Sequence, residues 1–165
     1  MPWAVLITLP HEEPPGSRNE VVSRMGAALP AIHWETEPPL IDRMKEVPEH
    51  LLPQVEGFVA RWSESERAYN STSHLKGYFS EGEVWIEFFG FENEPIRFFY
   101  ADVRGNGNPI PALAAICLPN GWTAIDFSEN KQIDLVSGDA SGWEGFRQYR
   151  DDAIKRVRES EGKTD

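Results

Sequence analysis

The sequence has few cysteines, a deficit of basic side chains and no long apolar run. Its single cysteine, Cys117, excludes an intramolecular disulfide framework and a zinc site built from several thiolates. Lysine and arginine together number 16, against 27 aspartates and glutamates, so the net charge is −11. Binding to nucleic acid or to an anionic membrane requires a basic face. We therefore expect neither of them as the main partner.

No apolar stretch approaches the roughly 18–20 residues that a membrane-spanning helix requires. The run WAVLITL at residues 3–9 is too short, lacks a basic flank and ends at Pro10, which also argues against a signal peptide. We expect a cytoplasmic protein. The length of 165 residues suits a single domain over residues 1–158, followed by a frayed tail at 159–165.

Motifs for catalysis and for metal or cofactor binding are missing as well. The four histidines are scattered without an HExxH or HxH spacing, and His11-Glu12-Glu13 lacks a third ligand fixed elsewhere. No serine occupies a GxSxG elbow. Cys117 falls at the apolar spacing of its segment, which predicts a buried thiol. We expect no catalytic residue, no metal and no cofactor.

The apolar pattern that is present predicts an α+β fold, a single domain with a mostly antiparallel sheet and helices packed on it. Residues 75–80, 83–91 and 96–104 are rich in aromatic and β-branched residues and predict a three-stranded antiparallel meander. Residues 3–9 predict a strand buried on both faces. Further strands are predicted at 32–36, 122–127 and 132–136, and helices at 18–29, 40–46, 54–63, 109–118 and 143–158.

Local signals refine these boundaries. Ser17 and Glu20, and likewise Ser141 and Glu144, have the spacing of a helix capping box. The polar segment at residues 63–73 shows no period and predicts a mobile loop.

A glycine-rich turn, Gly105-Asn-Gly-Asn-Pro109, lies between a predicted strand and a predicted helix. Glycines before a helix N-terminus are typical of phosphate-binding loops. This spacing is neither a Walker A loop nor GxGxxG, because Pro109 removes a donor and no lysine follows. A structural role is favoured, in which Asn108 caps the helix, Pro109 takes its first position and the glycines form a tight turn.

Alternation along strands 83–91 and 96–104 separates two faces. One face is uniformly apolar and would form the core. The other mixes aromatic and charged residues, namely Glu83, Trp85, Glu87, Phe89, Phe91, Phe98, Tyr100, Asp102 and Arg104. Either a helix such as 143–157 covers these aromatics while Arg104 pairs with a carboxylate, or the face is exposed and forms a protein-binding surface.

The distribution of charge bears on this choice. Residues 77–96 contain five glutamates and no lysine or arginine, whereas basic residues concentrate on the last predicted helix. An acidic meander would attract a basic partner. A solvated face that serves only solubility accounts for the same charges.

The segments VRGNGNPIPALAAICLPNGWTAIDFSENKQIDL (103–135) and GWEGFRQYRD (142–151) resemble a recurring group of small bacterial proteins with no established activity. Members combine an aromatic meander, a VRGxGxPxP turn, a helix and an NGWxxxD strand pair. The resemblance covers the C-terminal half and implies a small α+β protein, with no catalytic residue. In size, charge and architecture alone, the chain is also similar to the acidic immunity proteins that neutralise bacterial toxins.

Two hypotheses of function follow. The leading one is a non-enzymatic acidic domain that binds one protein partner, for which a basic protein is the better match, with binding of the toxin-immunity type as one form. Its contact residues would be Glu83, Trp85, Glu87, Asp102 and Arg104. The alternative is a small ligand-binding domain or enzyme with a pocket beside the Gly105–Pro109 turn, using Asp126 or Asp102 as a polar group.

Overall fold

The computed structural model describes residues 1–10 and 16–163. Within them, segments rich in aromatic and β-branched residues form seven strands. Their bounds are β1 Trp3–Thr8, β2 His33–Glu37, β3 His74–Glu81, β4 Val84–Phe89, β5 Phe98–Gly105, β6 Thr123–Asp126 and β7 Lys131–Gln132. They form one sheet in the order β2-β3-β4-β5-β1-β6-β7, in which neighbouring strands are antiparallel.

Six α-helices and one short 3-10 turn, Glu49–Leu51, complete the described part of the chain. The helices are α1 Arg18–Ala28, α2 Leu40–Met44, α3 Leu52–Val59, α4 Glu64–Asn70, α5 Ile110–Cys117 and α6 Ser141–Glu161. The predicted α+β fold and its meander, β3-β4-β5, are confirmed. The His11-Glu12-Glu13 segment lies outside the described residues. None of the helices in the described ranges has both the length and the apolar character needed to cross a bilayer.

Helices α1, α5 and α6 bury one side of the sheet, which we call the covered face. Trp3, Val5 and Ile7 on β1 point to this face and are fully buried, whereas the residues between them are half-buried. The predicted burial of β1 on both faces is therefore wrong for one of them. The covered face shares a single core with side chains of α1, α5 and α6, namely Val21, Met25, Ile110, Leu113, Ile116, Cys117 and Trp143.

Helix α6 is anchored by its N-terminal half. The Trp143 ring packs on Trp3 of the covered face, with ring centroids 5.7 Å apart. Beyond Arg150, its residues are exposed except for the half-buried Ala153. The expectation that a helix over 143–157 covers the aromatic face is therefore wrong, because the only fully buried side chain of the helix packs on the opposite face of the sheet.

The ends of α6 also differ from the prediction. The backbone N–H of Ser141 donates to Asp139 Oδ1 at 2.9 Å, so the helix begins at Ser141 and the predicted capping box does not form. At the other end, the helix continues through Glu161 into residues predicted to fray. At α1, by contrast, Ser17 Oγ accepts from the Glu20 N–H, which is one half of the predicted capping box, while the Glu20 carboxylate accepts from Arg24.

The polar segment 63–73 is helical over much of its length, and the predicted loop is wrong there. Ser63 Oγ accepts from the Glu66 N–H at 3.1 Å, and Glu66 Oε2 accepts from the Ser63 N–H at 2.9 Å. This complete capping box satisfies backbone donors that would otherwise lack partners at the start of α4. No residue from His33 to Ser73 is fully buried, so the long connection between β2 and β3 adds little to the core.

The glycine-rich turn is hydrogen-bonded to Glu83, the residue before β4. Gly105 adopts φ +93°, and a Cβ at this position would collide with the Glu83 carbonyl oxygen. That oxygen accepts hydrogen bonds from the N–H groups of Asn106 and Gly107 at 3.0 and 3.1 Å. Asn108 Oδ1 accepts from the Ile110 N–H at 3.0 Å at the start of α5. The predicted structural role of the turn is confirmed, but the helix begins one residue later than predicted, with Pro109 at the N-cap position and Ile110 as its first residue.

Candidate functional site: the open face of the sheet

The second face of strands β2 to β5 is not covered by a layer of helices, and we call it the open face. It carries aromatic and charged side chains that the strand registers place in neighbouring rows. Its members are His33, Glu35, Lys76, Tyr78, Ser80, Trp85, Glu87, Phe89, Phe98, Tyr100, Asp102 and Arg104. The predicted division of the meander into two faces is confirmed within β4 and β5. The placement of Phe91 on the mixed face is wrong, because β4 ends at Phe89, Gly90 adopts φ +96° and the Phe91 ring is buried against Phe99 of the covered face.

A cavity of about 440 Å³ lies on the open face. Trp85, with 60% of its surface exposed, and Tyr78 contribute aromatic groups to it. Glu87 and Asp102 lie on the two central strands and supply carboxylates. The complete lining is His33, Glu35, Tyr78, Phe79, Ser80, Trp85, Ile86, Glu87, Asp102 and Arg104.

Two of the three carboxylates that line the cavity lie side by side. Glu87 and Asp102 are directly paired in the register of β4 and β5. Burial, and then the neighbouring Glu87, raise the pKa of Asp102 above its ordinary value, although Arg104 and Lys76 oppose the shift. In the described ranges no hydrogen bond or ion pair reaches the half-buried Asp102 carboxylate. It is therefore the carboxylate of the cavity that is open to a donor from outside.

Lys76 forms ion pairs with two glutamates. Its ammonium group contacts Glu37 at 2.7 Å and Glu87 at 3.2 Å. Burial opposes its charged form, but the hydrogen bonds to Glu37 and Glu87 outweigh this and raise the pKa of Lys76. The hydrogen bond from Lys76 lowers the pKa of Glu37. Lys76 is thus held in place as a cation and partly neutralises Glu87, but makes no hydrogen bond to Asp102.

The rim of the cavity is more exposed to solvent. His33 Nε2 and Glu35 Oε1 lie 3.1 Å apart on β2. Arg104 lies opposite Trp85 across β4 and β5. In the described part of the chain no carboxylate lies within 4 Å of the Arg104 guanidinium, so the pairing considered for it from the sequence does not form. Its charge remains available at the rim.

An aromatic patch continues the open face beyond the cavity. Phe89 stacks on Tyr100 with ring centroids 5.4 Å apart, and Phe98 packs edge-on against Tyr100 at 5.9 Å. Phe127 contacts Tyr100 from beyond the end of β6, at 6.4 Å. Phe98 and Phe127 are 48% and 61% exposed. Contiguous exposed aromatics of this kind are typical of protein-binding surfaces.

Four of the five residues predicted to contact a partner line the cavity, namely Trp85, Glu87, Asp102 and Arg104. Glu83 does not line it, since this residue lies in the turn before β4 and its side chain is exposed. Its part in binding stays a prediction. The sequence reasoning missed His33, Glu35 and Tyr78, because the register of β2 against β3 is not visible in the sequence.

The surroundings of the glycine-rich turn are occupied by protein groups. Arg150 donates to Gly105 O at 2.8 Å and to Asn106 Oδ1 at 2.9 Å, and Arg147 donates to Asn106 O at 2.9 Å. Asp126 is buried, and its Oδ1 accepts from the N–H and hydroxyl of Ser128. These contacts give the turn and Asp126 structural roles, and the ligand pocket beside the turn stays a prediction.

Within residues 1–10 and 16–163, no three His, Cys, Asp or Glu side chains are grouped so that they could hold a metal ion. Cys117 is buried in the core, where desolvation raises the pKa of its thiol to about 12. It therefore stays protonated and is a poor nucleophile. The open face consequently offers groups for binding, with charge, aromatic surface and hydrogen-bond acceptors, and not an evident nucleophile.

Comparison with known proteins gives no relative from which a function could be transferred: no family model, no curated protein and no solved structure matches the chain.

Proposed function

We propose that this protein is a binding domain that holds one basic protein partner on the open face of its sheet. The observation that carries the proposal is the exposure of Trp85 beside Glu87 and Asp102 on the face of the sheet opposite α1, α5 and α6. Tryptophan is enriched among the residues that dominate binding energy, and a large exposed ring is expensive to keep in water. Binding of the toxin-immunity type is one form of this function.

The charge of the protein supports a basic partner. The chain carries a net charge of −11, and Glu35 and Glu87 lie with Asp102 on the open face. Complementary charge increases the association rate and selects among partners, and it is screened by salt. The neighbouring aromatic patch around Tyr100 supplies apolar contact area of the kind found at the centre of interfaces.

The test begins with capture of binding proteins from an extract of the native host, followed by purification of each candidate. Dissociation constants are then measured by calorimetry for the wild type and for Trp85→Ala. We expect the variant to weaken binding at least tenfold, about 1.4 kcal/mol. Affinity should also fall as salt rises from 50 to 300 mM.

Tyr149→Ala is the matched control, because Tyr149 is also 60% exposed but lies on α6. It should change the dissociation constant less than twofold. A partner that binds Trp85→Ala as tightly as the wild type would show that the open face is not its binding surface.

A further inference from the structure

We propose that the cavity on the open face receives the guanidinium group of one arginine side chain of the partner, placed between Trp85 and the Glu87–Asp102 pair. This inference rests on the proposed binding function and names the chemical group that the cavity recognises. It is carried by the position of an unpaired carboxylate, by the aromatic surface beside it and by the charge of the remaining lining.

Among the described residues, no hydrogen bond or ion pair reaches the Asp102 carboxylate. A half-buried carboxylate that lacks a hydrogen-bond donor pays a desolvation cost, and the cost rises when a second carboxylate lies opposite. Asp102 has both disadvantages in the unbound protein. Lys76 relieves Glu87 but makes no hydrogen bond or ion pair with Asp102. A cationic donor from outside would remove this penalty, so the charges of the cavity favour a cation over an anion or a neutral group.

Trp85 supplies an aromatic surface on the same face as this carboxylate. In the sheet register, Trp85 pairs with Arg104 and Glu87 pairs with Asp102, so Trp85 and Asp102 are diagonal neighbours on one face. Such neighbours are separated by roughly 7–8 Å. A cation can lie over an indole ring within about 6 Å of its centre. One planar cation can therefore stack on Trp85 and donate hydrogen bonds to Asp102.

The cavity suits the guanidinium of an arginine better than the ammonium of a lysine. A guanidinium is planar, is more weakly hydrated than an ammonium and can donate two parallel hydrogen bonds to a carboxylate. These properties suit a partly dehydrated carboxylate with an aromatic ring at its side. Glu87 already has an ammonium ligand in Lys76, at 3.2 Å. Asp102, by contrast, lacks a donor, and a planar cation could contact both its carboxylate and the Trp85 ring.

The remaining lining is compatible with a cation. Glu35 adds a third carboxylate to Glu87 and Asp102, whereas Arg104 is the one basic residue of the lining other than His33. Arg104 is exposed, so its charge is screened by water and repels a bound guanidinium only weakly. A volume of about 440 Å³ lies in the range that holds small organic ligands, and it is sufficient for one arginine side chain.

The experiment uses a small probe and no protein partner. The ¹⁵N-labelled protein is titrated at pH 7 with N-acetyl-arginine amide, and its ¹H–¹⁵N spectrum is recorded. N-acetyl-citrulline amide, which has nearly the same shape without the charge, and N-acetyl-lysine amide are titrated in parallel. The Trp85 indole N–H signal is assigned by its loss in Trp85→Phe.

We expect the arginine probe, with a dissociation constant in the millimolar range, to shift the Trp85 indole signal and the amide signals of Glu87 and Asp102. The lysine probe should bind at least threefold more weakly, and the citrulline probe should cause no saturable shift. Asp102→Asn should weaken binding of the arginine probe at least fivefold. Asp42→Asn, which removes an exposed carboxylate on α2, should leave it unchanged.

Equal binding of the citrulline or lysine probe, or shifts that avoid Trp85, would overturn the assignment of an arginine site. Retention of binding in Asp102→Asn, which keeps the shape of the side chain, would do the same. Because no partner is present, this outcome leaves the result of the partner experiment with Trp85→Ala unaffected. Conversely, a partner that ignores Trp85 would refute the proposed function even where the arginine probe binds.

Discussion

Glu87 and Asp102 occupy directly opposed positions on two central strands of the sheet, although both are carboxylates. Like charges at opposed positions destabilise a sheet by roughly 0.2–1 kcal/mol. The same two residues line the cavity of the open face. Residues that bind a ligand are often retained at a cost in stability, which agrees with a binding role for this pair.

Asp102→Asn should therefore raise the free energy of unfolding at pH 7, by roughly 0.2–1 kcal/mol. The folded protein holds a proton on Asp102 more tightly than the unfolded chain does, because the pKa of Asp102 is raised above 3.8. Wild-type stability thus falls as pH rises from 3.8 through the raised pKa. The advantage of the variant should be complete above that window and vanish below it, as measured by urea unfolding at several pH values.

Asp42→Asn serves as the control for this series, since Asp42 is exposed on α2 and has no opposed carboxylate in a strand. A gain of the same size in Asp42→Asn, or an Asp102→Asn gain that persists below pH 3.8, would show that the register pair is not its source.

Gly105 and Gly145 should respond in opposite ways to substitution by alanine. At Gly105, positive φ and the collision with the Glu83 carbonyl should lower the unfolding free energy by more than about 2 kcal/mol. At Gly145, within α6, a Cβ would meet no atom within 4 Å. Alanine there should raise stability by about 0.5–1 kcal/mol, because it favours the helix. Thermal and urea unfolding measure both, and equal effects would contradict the description of the turn.

Cys117 should be unreactive in the folded protein. Burial raises the pKa of its thiol to about 12, so almost no thiolate is present at pH 8. Ellman's reagent should label no thiol over minutes in buffer and one thiol per chain in guanidinium chloride. Rapid labelling of the native protein at pH 8 would mean that the α5 side of the core opens readily.

His74 should hold α4 on the end of the sheet. Its Nδ1 lies 2.8 Å from Glu92 Oε1, its Nε2 donates to Tyr69 O at 3.0 Å, and the Tyr69 ring lies 4.2 Å from the imidazole. His74→Ala should cost about 1–2 kcal/mol locally. Amide hydrogens of α4 should then exchange roughly 5- to 30-fold faster.

Glu92→Gln is the milder comparison, because it keeps an acceptor for His74. It should accelerate exchange in α4 less than His74→Ala does. Unchanged exchange in His74→Ala would show that other contacts hold the helix.

The two faces of the meander could be predicted from the sequence because the period of a strand is local. Alternation alone assigns Phe99 to the core and Trp85 to the other face, and no knowledge of other strands is needed. Whether a helix covers that second face is a non-local property. The aromatic stripe of α6 suggested a cover, but Trp143 packs on Trp3 of the opposite face.

Short sequence patterns failed to predict the helices correctly where two of them indicated different structures. Ser63 and Glu66 have the spacing of a capping box, but the absence of an apolar stripe in α4 concealed the helix. Ser141 and Glu144 share that spacing. Asp139, however, accepts the hydrogen bond from the Ser141 N–H, so α6 begins at Ser141 itself and not after it. The cavity was only half predictable, because His33 and Tyr78 meet through a pairing that spans the long β2–β3 connection.

The β2–β3 connection has a consequence for how this protein can diversify. Residues 38–73 join strands that already lie side by side, and none of them is fully buried. Antiparallel neighbours can be joined by a two-residue hairpin, and the closure entropy of a loop of this length differs from that of a short one by only about 2 kcal/mol. A different segment could thus replace residues 38–73. The replacement would change the surface next to the open face at Tyr69 and leave the strands of the sheet in place.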